Sequence, residues 1–146
     1  MAACKAEVPV AYQIAEREDL YTKITAFNPM IVTNRPEEVL KYFEMFGFTK
    51  KHAPTMKIAT GEEFTDYRLE NENGFSMDVA AISTPLPMEV PALRMNVDDF
   101  DEAYKMLTEV GYKPTHDGAF IETEHSKAVA MVGPIGFTIY LVQHIK

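Results

Sequence analysis

The sequence contains one cysteine, no tryptophan, and nothing near the roughly 20 consecutive apolar residues that a membrane-spanning helix requires. One cysteine closes no internal disulfide. Cys4 stands beside Lys5 in a polar leader, without the partners of a nucleophile, and reads as an incidental thiol. The N-terminus lacks the basic start and apolar core of a secretion signal, so a cytoplasmic chain with no membrane partner is expected. Basic residues are also in short supply. The 14 Lys and Arg face 22 Asp and Glu, and the resulting formal charge of −8 opposes phosphate backbones and anionic lipids, so no nucleic-acid partner is expected. No Ser-His-Asp spacing, phosphate loop or paired-cysteine motif is present.

What is there is a core-forming composition: 146 residues, 47% of them hydrophobic, able to bury roughly 70% of the unfolded surface as one domain. Residues 1–23 form a leader that allows a short helix over Ala11–Tyr21. A strand is expected over Thr25–Val32, edged or kinked by Pro29. The stretch from Thr33 to Glu38 starts a helix: Thr33 or Asn34 can cap it, Pro36 suits its first turn, and Glu37 and Glu38 suit its positive end. Val39, Leu40, Phe43 and Phe46 continue at helical spacing to Gly47. Strands are then expected over Thr49–Ala53, Glu63–Glu70 and Phe75–Ile82, the last two joined through the hairpin signal Asn73-Gly74. Thr84-Pro85-Leu86-Pro87 breaks the pattern as a linker.

The second half repeats this plan. Strand Ala92–Val97 is followed by the acidic helix start Asp98–Glu102, a helix to about Val110, then Gly111 and Tyr112. Strands Ala119–Glu124, Lys127–Val132 and Phe137–Gln143 complete it, the last two joined by Gly133-Pro134-Ile135-Gly136. Glu38, Lys41, Gly47 and Phe48 meet Glu102, Lys105, Gly111 and Tyr112 at a constant offset of 64 residues, the mark of a duplicated unit. The expected organisation is an α+β domain over 24–146, with module one at 24–83, a linker at 84–90 and module two at 91–146.

A βαβββ module used twice, with Val32-Thr33-Asn34 leading to Tyr42–Phe48 and Val97-Asp98-Asp99 leading to Val110-Gly111-Tyr112, resembles the vicinal oxygen chelate superfamily. That group includes glyoxalase I, extradiol dioxygenases and bleomycin-resistance proteins. The ending Gly136–Gln143 is similar to the family's closing strand, and the resemblance spans about residues 25–144. It implies two tandem modules whose curved mixed sheets form a cup, and it implies a homodimer. It also implies metal donors, a His in each first strand and a Glu in each last. Those positions fall on Phe27 and Ala92, and on Asp78 and Tyr140; a slip of one residue would substitute Asn28 for Phe27. Only Asp78 is a conventional ligand, so neither metal nor other cofactor is expected.

Alternate strand residues share a face, so the same positions mark the cup lining. Phe27, Pro29 and Ile31, Ser76, Asp78 and Ala80, Ala92, Arg94 and Asn96, and Thr138, Tyr140 and Val142 are expected there. The candidate ligand-binding residues are Phe27, Ser76, Asp78, Arg94, Asn96, Thr138 and Tyr140, with no catalytic residue assigned. Arg94 could clamp an oxygen anion, Asp78 could accept from an amine or act as a base, and an Arg94–Asp78 ion pair filling the cup is the alternative. His116, His125, Asp117, Glu122 and Glu124 offer a weaker, unorthodox metal cluster. The leading expectation is a metal-free protein binding a small aromatic or cationic compound, as in antibiotic or metabolite sequestration. Two alternatives stay open: a lyase, isomerase or dioxygenase of the same fold, and a structural or regulatory dimer with a filled cup.

Overall fold

The structure, a computed structural model, describes residues 22–57, 61–115, 120–134 and 136–144. The leader before Thr22, with Cys4 and the Ala11–Tyr21 helix, lies outside them, as do His116 and Asp117. Ten strands and two helices follow one another as β1 (Ile24–Thr33), α1 (Pro36–Met45), β2 (Thr49–His52), β3 (Thr55–Lys57), β4 (Glu63–Glu70), β5 (Ser76–Ile82), β6 (Val90–Val97), α2 (Phe100–Glu109), β7 (Lys113–Pro114), β8 (Ile121–Glu122), β9 (Ser126–Val132) and β10 (Thr138–His144). The short strands β3 and β7 were not expected; both are exposed edge segments with too few residues to show a period of two.

All ten strands join one mixed sheet in the order β2-β4-β5-β1-β6-β10-β9-β7, with β3 on β4 and β8 on β9. The order reads the same from either end if one module is exchanged for the other. β1 runs parallel to β5 as β6 runs parallel to β10, and β1 and β6 pair antiparallel at the centre. This is the two-module α+β architecture that the repeat implies, and the two halves of the cup meet within one chain.

The helices cover one face. Val39 and Leu40 of α1 pack on Leu69, Met77 and Val79, while Phe100 and Ala103 of α2 pack on Val129, Met131, Ile139 and Leu141. These strand residues are all odd-numbered, so the even-numbered residues of β4, β5 and β6 point the other way, into the cup. Both helices end alike. Gly47 and Gly111 adopt φ of +96° and +104°, and Phe48 and Tyr112 return their N–H groups to the carbonyls of Phe43 and Leu107 at 3.0 and 2.9 Å.

The helix starts differ from each other. Asp99 caps α2 by accepting from the Glu102 N–H at 3.1 Å, and Gln143 reinforces it by accepting from the Phe100 N–H at 2.8 Å. The first residue before α1 is Arg35, with no side-chain cap, which corrects the expected cap from Thr33 or Asn34. Thr33 Oγ1 instead accepts from the Arg35 N–H. Asn34 ties down the linker: its amide donates to the carbonyls of Ile82 and Thr84, both at 2.9 Å, and accepts from the Leu86 N–H at 2.7 Å. Truncating Asn34 to Ala leaves these three backbone groups to water and is expected to cost about 1 kcal/mol, read as a lower urea midpoint with an unchanged slope.

Candidate functional site

Pairing registers place the cup residues directly. Asn28 faces Arg94 across β1 and β6, Tyr140 lies beside Arg94 across β6 and β10, and Arg68 faces Asp78 across β4 and β5. Asp78 is fully buried among them. Its Oδ1 accepts from Asn28 Nδ2 at 3.1 Å, its Oδ2 lies 3.3 Å from Arg94 Nη1, and Arg68 Nε stands 3.9 Å away. Arg68 also reaches Asp66 Oδ2 at 3.4 Å. The centre of the cup is therefore a buried cluster of two aspartates and two arginines, tied to an asparagine.

Asp66 is its most perturbed member. Burial, aided by the neighbouring Asp78 carboxyl, pushes its pKa up to about 8 against the opposing pull of Arg68 and Arg94. Tyr140 is likewise held protonated, mainly by burial and then by Asp66. Burial and the two arginines lower the pKa of His144, at the end of β10, and so favour its neutral form. Three buried polar atoms, Asp66 Oδ1, Arg94 Nε and Asn96 Oδ1, have no protein partner.

Beside the cluster lies a cavity of about 240 Å³. Met30, Ala80, Ala92, Phe64 and Ala130 supply its apolar wall, Leu86 of the linker borders it, and Thr115, Thr138 and Tyr140 bring its hydroxyls. Phe64 and Tyr140 meet edge to face at 6.0 Å between ring centres, narrowing the cup where the apolar part gives way to the charged one. The two modules contribute unequally. The registers match Asp66, Arg68 and Asp78 of module one to Ala128, Ala130 and Tyr140 of module two, so one half supplies charge where the other supplies space.

Of the candidate residues, Asp78, Arg94 and Tyr140 come together in or against the cluster, Asn96 is buried two residues along β6 from Arg94, and Thr138 lines the cavity. Ser76, half-buried at the start of β5, does not line the cavity and borders a separate hollow beside Asn28 and Gly74. Phe27 is a correction: it is 53% exposed and borders that same hollow with Pro29, Ile31, Phe43 and Phe48, while Asn28, Met30 and Val32 take the cup side. Apolar residues fall on both faces of β1, so burial gave no parity signal; the 64-residue offset applied to Ala92 gives Asn28. Asp66 and Arg68 were missed altogether. The hairpin sets them opposite Ala80 and Asp78, one residue away from the register that a two-residue Asn73-Gly74 turn gives, so the sequence signal alone would have turned them to the wrong face.

The donor positions implied by the resemblance thus hold Asn28, Ala92, Asp78 and Tyr140. Ala92 offers no donor, Tyr140 keeps its proton, and Asp78 is occupied by a guanidinium and an amide, which places fixed positive charge where a divalent ion would sit. These residues do not fit a metal. Of the weaker cluster, His116 and Asp117 lie outside the described residues, Glu124 and His125 are exposed, and among the described residues no three His, Cys, Asp or Glu side chains gather as a metal-binding group.

The paired βαβββ cup is the architecture that the resemblance implies. No family model and no curated protein sequence matches this chain. Among solved structures it is similar to a glyoxalase/bleomycin resistance protein/dioxygenase superfamily member from Vibrio splendidus 12B01, at 16% identity and TM-score 0.49 over 83% of this chain and 99% of that one. A glyoxalase family protein from Bacillus cereus matches at 16% identity and TM-score 0.37, covering 82% and 93%. A mutant 4-hydroxymandelate synthase from Streptomyces coelicolor matches at 9% identity and TM-score 0.49, where this chain covers 80% of itself and 47% of the other. No helix among the described residues is long and apolar enough to cross a membrane.

Proposed function

We propose that the chain holds a compact, largely apolar organic molecule in the cup by non-covalent binding, without a metal. The observation that carries this reading is the apolar cavity of about 240 Å³ ending on Tyr140. A dry cavity of roughly 150 Å³ already accommodates benzene, so this one suits a single substituted ring or a bicycle. A filled cup is the weaker reading, because the ion cluster fills the centre and leaves the end near Thr138 open. Sequestration of an antibiotic or metabolite is the physiological form this binding takes in our reading. One chain suffices for it, so the homodimer implied by the resemblance is not a requirement of the site.

The test is binding of uncharged ring compounds such as indole and 2-naphthol, followed by calorimetry. Ala92, buried opposite Met30 and beside Thr138, is where added volume enters the cavity. Ala92→Phe is expected to weaken binding at least tenfold while the chain stays folded. Unchanged binding in that variant would move the ligand elsewhere, the hollow at Phe27 first. An enzyme of the same fold is the second reading, favoured by Asp66, a buried acid whose raised pKa suits proton transfer near neutrality. Chemical conversion of a bound compound, lost in Asp66→Asn, would establish it.

A further inference from the structure

We infer that the ligand is an acid: its apolar body fills the cavity and an anionic oxygen group, a carboxylate or enolate, lies against Arg94 and Asp66. This rests on the cavity reading above and adds the chemistry of the head group. The cluster and the cavity share their boundary. Asp66 pairs directly with Ala80, Asp78 lies beside Met30, and Arg94 lies beside Tyr140, and in each pair the second residue lines the cavity.

Charge supplies the first argument. Arg94 is buried and Arg68 partly so, and both bring positive charge to the cup. Burial holds Asp66 protonated near neutral pH, which leaves Asp78 as their carboxylate partner, and His144 stays neutral. The cup centre thus carries one uncompensated positive charge, although the chain as a whole is acidic. This reverses the expectation of a cationic ligand, which the overall charge of −8 had suggested. The interior field is set by groups within a few ångströms in a medium of low dielectric, and distant surface carboxylates are screened by solvent.

Unmet hydrogen bonds supply the second. Arg94 Nε is a buried donor without a partner. Buried groups of this kind are normally satisfied by a ligand or an ordered water. An oxygen anion answers this donor and its charge at once; an ammonium group answers neither.

Three matched probes test this: phenylacetate, phenylacetamide and phenethylamine, titrated calorimetrically at pH 7. Phenylacetate is expected to bind at least tenfold more tightly than the amide, with the amine weakest. Its advantage should shrink above pH 8, where Asp66 ionises facing Arg68, Asp78, Arg94 and Tyr140. Asp66→Asn, which keeps a neutral donor, should retain the preference at pH 9, and Arg94→Gln should abolish it. Equal binding of acid and amide, or tighter binding of the amine, overturns the acid assignment and leaves the cavity reading standing. If none of the three probes, indole or 2-naphthol binds, the cavity reading itself falls and takes the inference with it. Because the comparison among probes is made on the unmodified chain, a misfolded Arg94→Gln would not rescue the proposal.

Discussion

Replacing Asp78 with Ala is expected to lower stability by about 3–5 kcal/mol, the cost of leaving a buried charge without its partner. Asp78 is fully buried and accepts from Arg94 and Asn28 together, so the substitution strands both. Arg68, with a side chain 29% exposed, can turn to water; Arg94 cannot. For a chain of this length the loss corresponds to a fall of about 10 °C in Tm. A second substitution distinguishes a stranded charge from a simple cavity. Removing the guanidinium as well, in Asp78→Ala with Arg94→Met, should recover a large part of the loss, because exchanging a whole buried ion pair for apolar groups is often neutral. Losses that merely add in the double variant would show that the pair is not coupled as the structure has it.

Asp66→Asn is expected to act in the opposite direction. In the folded chain Asp66 holds its proton up to about pH 8, whereas in the unfolded chain it releases it near pH 4. Between those limits unfolding releases a proton, so the stability contributed by this acid is full below about pH 4 and is lost progressively as pH rises through 8. An amide has no proton to lose. Asp66→Asn should therefore match the wild type near pH 4 and exceed it at pH 8, by on the order of 3 kcal/mol. Urea unfolding of both chains from pH 4 to 9 gives the difference directly, and a difference that stays flat across that range would place the titration elsewhere.

The architecture was legible because it was written twice. Gly47 and Gly111 stop two helices at equivalent points, and the offset between them orders the remaining strands by analogy. The helix start at Asn34 was less legible, since an asparagine able to cap a helix is equally able to bind a linker, and only the position of Leu86 decides between the two. The cup was read half correctly. Arg94, Asn96 and Asp78 stand out as polar residues alternating with Leu93, Met95, Met77 and Val79, so their face follows from burial alone. In β1 that contrast is missing, and the lining shifted by one residue, from Phe27 to Asn28. Asp66 and Arg68 escaped notice for another reason. Charged residues in a strand ordinarily face water, and nothing in β4 itself reveals that Arg68 stands opposite Asp78 and that Asp66 is buried beside it.

The unequal division between the two modules has a consequence for how such a protein can change. Charge resides on β4, β5 and Arg94, while the room beside it is left by Ala92, Ala130 and Thr138. A substitution among those small residues alters the shape of the guest that fits without disturbing any ion pair, so new specificities are reachable by single steps that leave folding intact.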